Sequence, residues 1–129
     1  MPVRSLAHYN LRAEPGLMEK LRVFYSGVVG LRVGPRPAFA FAGYWLYAGD
    51  RDVLHLAEES PDDRRDVGSH LTFDHAAFEC ANWPEFEARL AASGISYRKS
   101  RVPGDGRLQV FFRDPAGNGV ELQFPAEEA

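Results

Sequence analysis

The chain has 129 residues, 45% apolar and 26% charged, with a formal net charge of −3, which is globular composition of about one ordinary domain, enough to bury a core without disulfides or a structural metal. No stretch approaches the roughly 18 continuous apolar residues of a membrane span, and Met1-Pro2-Val3-Arg4-Ser5 has no apolar signal core behind it, so a cytoplasmic protein without a membrane segment is expected. The lone Cys80 fits a reducing compartment; the basic residues are scattered, with Arg64-Arg65 set among Asp62, Asp63 and Asp66, so no nucleic-acid partner is expected.

In chain order, residues 5–11 read as a first strand, closed by the turn-favouring Glu14-Pro15-Gly16. Leu17, Leu21, Phe24, Tyr25 and Val28 then recur at three- and four-residue steps, which predicts a helix ending near Gly30 as its C-cap. A short strand over 31–33 is interrupted by Pro35 and Pro37; an aromatic strand over 39–47 turns at Ala48-Gly49-Asp50, and 52–58 returns. Residues 60–70 are charged and have no apolar period, so they read as a linker holding His70 as a solvated loop residue.

The same order then recurs. A strand over 71–80 precedes a helix marked by Trp83, Phe86, Leu90 and Ala91, with Asn82 as N-cap, Pro84 near its first turn and Gly94 at its end. Strands over 95–102, 107–113 and 120–124 follow, separated by Pro103-Gly104-Asp105-Gly106 and Pro115-Ala116-Gly117-Asn118-Gly119. The expected fold is α+β: one domain, 1–129, of two βαβββ modules (about 1–60 and 71–129) forming a cupped mixed sheet with helices on its outer face.

The duplication aligns chemistry as well as elements. His8 falls on His75 at a shift of 67 positions and His55 on Glu121 at a shift of 66. Alternation along a strand puts Leu54 and Leu56, and Val120, Leu122 and Phe124, towards the helices, leaving His55, His75, Glu121 and Gln123 on the opposite face. Taken singly, a strand histidine is more often structural than a ligand; three of four histidines at repeat-equivalent places, with a carboxylate at the fourth, point to a metal site. The expected ligands are His8, His55, His75 and Glu121, or two imidazoles and the carboxylate with His55 swung away. That set suits Zn, Ni, Fe, Mn or Co as a divalent ion. Gaps of 47, 20 and 46 residues are unlike a zinc finger, which favours a catalytic over a structural site.

Other features carry less. Cys80 reads as a packed apolar residue, and Tyr44, Trp45 and Tyr47 as strand residues of which one face could hold an aromatic substrate part. Arg98, Lys99, Arg101 and Arg107 gather at the penultimate hairpin, where they either greet an anionic substrate or keep the hairpin soluble.

His8, Phe24-Tyr25-Ser26-Gly27-Val28-Val29-Gly30-Leu31, His75 and Phe112-Arg113-Asp114-Pro115-Ala116-Gly117-Asn118-Gly119-Val120-Glu121-Leu122 resemble the vicinal-oxygen-chelate superfamily of glyoxalases, bleomycin-resistance proteins and extradiol dioxygenases. The resemblance covers the whole chain. It implies paired βαβββ modules in a homodimer and a metal that binds two adjacent oxygens of a small-molecule substrate. Glyoxalase-type lyases or isomerases are the leading expectation, with Glu121 and His55 as catalytic proton carriers, although such enzymes would place glutamate, and the similar methylmalonyl-CoA epimerases glutamine, at His55. Extradiol Fe(II) dioxygenases match through His8, His75 and Glu121 with His55 as acid or base. Fosfomycin-resistance thiol transferases share two histidines and the last glutamate, but Asn10 stands where they would have threonine. Drug-binding members would need no metal.

Overall fold

The computed structural model describes residues 4–61 and 73–128. Its contacts divide the chain into two compact units, Met1–Asp66 and Val67–Ala129, each with a four-stranded mixed sheet and one α-helix. Most of the 60–70 linker, including His70, lies outside the described residues.

In the first unit, strand β1 (Tyr9–Ala13) leads into helix α1 (Pro15–Phe24). The Glu14 carboxylate accepts from the Leu17 and Gly16 amides at 2.6 and 3.0 Å, so it satisfies two of the orphan donors of the first turn, and Pro15 needs no partner there. After Phe24 the chain widens into one π-helical turn, Tyr25–Val29, and stops at Gly30, whose φ of 95° is the left-handed conformation glycine adopts freely. In α1 Met18 is buried where Leu17 was expected, and in the widened turn Val29 joins Val28 in the core. Strands β2 (Arg32–Gly34), β3 (Gly43–Ala48) and β4 (Arg51–Glu58) follow, in the order β1-β4-β3-β2, with β1 parallel to β4 and the remaining pairs antiparallel. Leu54 and Leu56 of β4, which α1 contacts, and their neighbour Leu46 of β3 are at most 1% exposed.

Two departures from the expected strands have local causes. β3 begins at Gly43, not at residue 39; Gly43 runs so close to β4 that an added Cβ would stand 2.3 Å from the Leu56 carbonyl, and before it Phe39 and Phe41 are exposed and stack on each other. In the β3–β4 ladder Leu46 pairs with Leu54 but Tyr47 with Asp52, so Val53 is an extra residue and a β-bulge.

The second unit repeats the plan with β5 (His75–Glu79), α2 (Trp83–Ala92), β6 (Arg98–Arg101), β7 (Leu108–Arg113) and β8 (Gly119–Phe124) in the order β5-β8-β7-β6. Here the ladders run without a bulge. Trp83 and Phe86 of α2 set their rings edge-on to Phe124 at 5.5 Å, and Leu90 is fully buried, so α2 covers β8 through aromatic contacts. Asn82 stands at the N-cap but in a left-handed conformation (φ 68°), with no side-chain cap to the helix amides and with its own amide donating to the Glu85 side chain at 3.2 Å. Cys80 follows β5, half-buried, with its thiol towards the Phe78 carbonyl. Among the described residues no helix is long and apolar enough to cross a membrane.

Candidate functional site

The parallel strand pairs of the two sheets share one register. Asn10 pairs with His55 and Ala77 with Glu121, so the last strand of each unit carries its ligand-type residue two places beyond the pairing level of the histidine that opens the unit. Within each unit the structure therefore brings the expected residues together: His8 to His55, and His75 to Glu121.

In the second unit the Glu121 carboxylate is 3% exposed and both its oxygens are engaged. Oε2 accepts from the Gln123 amide at 2.7 Å and from the Gln109 amide at 3.2 Å. The Gln123 carbonyl in turn accepts from Arg107 Nη1 at 2.9 Å, which fixes which end of that amide faces Glu121. Oε1 lies 3.1 Å from His75 Nε2, while His75 Nδ1 is 2.7 Å from Asp74 Oδ2. If Nδ1–H donates to Asp74, the Nε2 lone pair meets a carboxylate oxygen, an arrangement that calls for a proton or a cation between them. A separation of 3.1 Å is also what two adjacent ligands need on an ion with bonds of about 2.1 Å. This half of the expected site fits a metal.

The first unit is built differently. His55 is 9% exposed and lies between two rings: Trp45 at 4.1 Å and 7° on one face, His8 at 3.7 Å and 17° on the other. Asp52 Oδ2 is 2.7 Å from His55 Nε2. Residues three apart on a regular strand point to opposite faces, and the bulge at Val53 is what carries Asp52 to His55. The hydrogen bond to His55 holds the Asp52 carboxyl below its ordinary pKa. The sequence reading did not include Asp52, because alternation places it on the wrong face, nor Gln109, which the 109–123 pairing brings beside Glu121.

His8, Asp52 and His55 place one ligand atom each within 4.8 Å of one another, so distance alone allows a metal. The two imidazoles are stacked, with centroids 3.7 Å apart and rings 17° from parallel, whereas an imidazole binds an ion in its own ring plane.

The remaining candidates separate. Tyr44 points to the helix side, where its hydroxyl donates to Glu19 at 2.5 Å; that bond, followed by the one from Arg22, lowers the Glu19 pKa, and Glu19 raises that of Tyr44. The Tyr47 hydroxyl donates to the Pro35 carbonyl. Arg101 donates to the Gly106 and Ala126 carbonyls, Arg107 to Asp105 and Gln123, and Lys99 lies over Trp83. Arg98 lies over Phe111, whose ring meets His75 edge-on at 5.9 Å.

Solved structures with this fold include a glyoxalase/dioxygenase from Nostoc punctiforme (TM-score 0.75, 20% identity, 95% of this chain and 91% of that one covered). A lactoylglutathione lyase from Agrobacterium tumefaciens (0.67, 23%, 96% of each) and TnmS3, an antibiotic binding protein from Streptomyces sp. CB03234 (0.66, 19%, 97% and 98%), share it as well. At these identities the likeness is one of fold. No curated protein matches the chain. The family model matches residues 6–122, and the chain belongs to the glyoxalase/bleomycin resistance protein/dioxygenase superfamily.

Proposed function

We propose that the chain is a metal-dependent lyase or isomerase of glyoxalase type, acting on a small carbonyl or thiol-adduct substrate. The observation that carries this reading is the buried Glu121 carboxylate, held on one oxygen by two glutamine amides and aimed by the other at His75. A structural ion pair has no need of three polar side chains to orient one carboxylate; a metal ligand or proton carrier does. The ligand set we propose is His8, His75 and Glu121. His55, its Nε2 committed to Asp52 and its ring stacked under Trp45, works beside the ion as an acid or base. A bound divalent ion would supply Lewis acidity to two adjacent oxygens of the substrate. Glu121 then holds or moves the substrate proton, and the Trp45 ring covers one face of His55. A homodimer and a cytoplasmic location belong to the same proposal.

The test is metal content and ligand dependence. Protein reconstituted with Ni²⁺ or Zn²⁺ is expected to retain about one ion per chain; His8→Ala and Glu121→Gln should lose it and His55→Ala should keep it, losing turnover of hemithioacetals instead. Full metal content in the first two variants refutes the ligand assignment, and loss in the third returns His55 to the ligand shell. A second reading is favoured by the same stacking: two histidines and one carboxylate with open positions are the ligand set of non-haem Fe(II) oxygenases. Activity on catechols that returns only with Fe²⁺ under O₂ would select ring cleavage. Absence of any retained transition metal would select drug binding.

A further inference from the structure

The two sheets can be compared row by row. In the first unit one row across the strands is Asn10–His55–Trp45–Gly34; in the second the equivalent row is Ala77–Glu121–Phe111–Arg98. The rows differ at their far ends. Gly34 is roofed by the Tyr47 ring, which an added Cβ would meet at 2.7 Å. Arg98 is exposed, and among the described residues its guanidinium makes no hydrogen bond or ion pair, only its contact over Phe111 at 4.5 Å. The neighbouring cations of the hairpin are committed elsewhere. Arg98, Phe111 and Arg113 also line an open cavity of about 490 Å³ with Tyr97. Arg113 spends one nitrogen on the Gly117 carbonyl.

We infer that Arg98 and Phe111 form a subsite for a singly charged carboxylate carried on an apolar or aromatic stem. One uncommitted guanidinium matches one negative charge; a phosphate dianion would need Arg113 as well. The stem lies along the Phe111 ring, and the row places Arg98 two strands, about 10 Å, from Glu121. Only in naming the other end of the molecule, the oxygens held near His75 and Glu121, does the inference rest on the proposed metal site. The substrate class is then a chelating group and a carboxylate separated by an apolar spacer of that length. The repeat-equivalent place in the first unit is filled by the Tyr47 ring, so the subsite belongs to the second unit alone.

The test needs no metal. The full chain, in chelator, is titrated by NMR with 3-phenylpropionate and with neutral 3-phenylpropanamide while the Arg98 Nε resonance is followed. An exposed charge pair contributes about 1 kcal/mol at most, so the carboxylate should bind about fivefold more tightly than the amide. Arg98→Gln should erase that preference without changing affinity for the amide, and Arg98→Lys, which keeps the charge, should retain part of it. Equal affinity for the two probes in the native chain, or a preference that survives Arg98→Gln, overturns the inference. Metal analysis of the same protein, freed of chelator and reconstituted with Ni²⁺ or Zn²⁺, separates the two ideas: failure to retain an ion refutes the metal reading and leaves the carboxylate preference as measured.

Discussion

Replacing Gln123 by Met removes the shorter of the two amide bonds to Glu121 and changes side-chain volume little. Gln123 donates to Oε2 at 2.7 Å and Gln109 to the same oxygen at 3.2 Å, so the variant leaves a carboxylate that is 3% exposed with the weaker bond on that oxygen. Arg107 is not stranded, because it keeps Asp105 at 3.1 Å. A hydrogen bond to a charged group is worth about 1.5–3 kcal/mol, which for a chain of this size corresponds to a fall in Tm of about 6–12 °C. That loss should appear in chelator, since it precedes metal binding. Outer partners of a ligand also tune affinity, and removing one weakens metal binding by about 10–100-fold. Thermal melting in chelator and competition with a chromophoric chelator measure the two effects separately. Gln109→Met should show both to a smaller degree. If Gln123→Met melts within 1 °C of the native chain, or binds metal as tightly, the amides do not hold Glu121 in the manner argued.

Three further outcomes follow from the packing. At Gly119 an added Cβ would stand 2.3 Å from the Asp74 carbonyl and 2.8 Å from His75 Cβ, so Gly119→Ala should cost about 1–3 kcal/mol and weaken metal binding by moving His75; an unchanged metal affinity in a destabilised variant would disconnect the two. Phe124→Ala removes the ring on which Trp83 and Phe86 pack and should cost about 3–5 kcal/mol in chemical denaturation, with α2 losing amide protection first. The Tyr44–Glu19 bond gives a pH signature. A lowered Glu19 pKa contributes stability present above the unfolded carboxylate value and lost as pH falls through the folded one; the raised Tyr44 pKa contributes below the unfolded phenol value and is lost as pH rises through the folded one. The stability gap between the native chain and Tyr44→Phe, on the order of 1 kcal/mol for a half-exposed pair, should therefore be widest between about pH 5 and pH 10 and close on either side. A gap that does not narrow at all as the pH is lowered through the carboxylate range would show that the hydroxyl acts through packing alone.

Much of the fold is local and for that reason legible in the residues themselves. The inward-facing set Leu54 and Leu56, the set Val120, Leu122 and Phe124, and the stop at Gly30 follow from spacing along one chain segment, and the internal repeat pointed to the pairs His8 with His55 and His75 with Glu121 that the parallel ladders bring together. Strand ends were less legible: Phe39 and Phe41 have strand composition, yet β3 pairs with β4 only from Gly43 onward, a limit that depends on partners on another strand. The site's inner arrangement needed the tertiary structure throughout. Asp52 reaches His55 only because one ladder carries an extra residue, and alternation, which assumes none, assigns it to the opposite face. Gln109 and Gln123 serve Glu121 together because pairing between β7 and β8 places them on adjacent strands. Of four hairpin cations with the same composition signal, Arg101 and Arg107 are consumed by carbonyl, carboxylate and amide partners and Arg98 is left over Phe111. Residue type and period determine which face a side chain takes; which atom it then meets, and in what plane, depends on rotamers and ladder registers that only the assembled sheet sets.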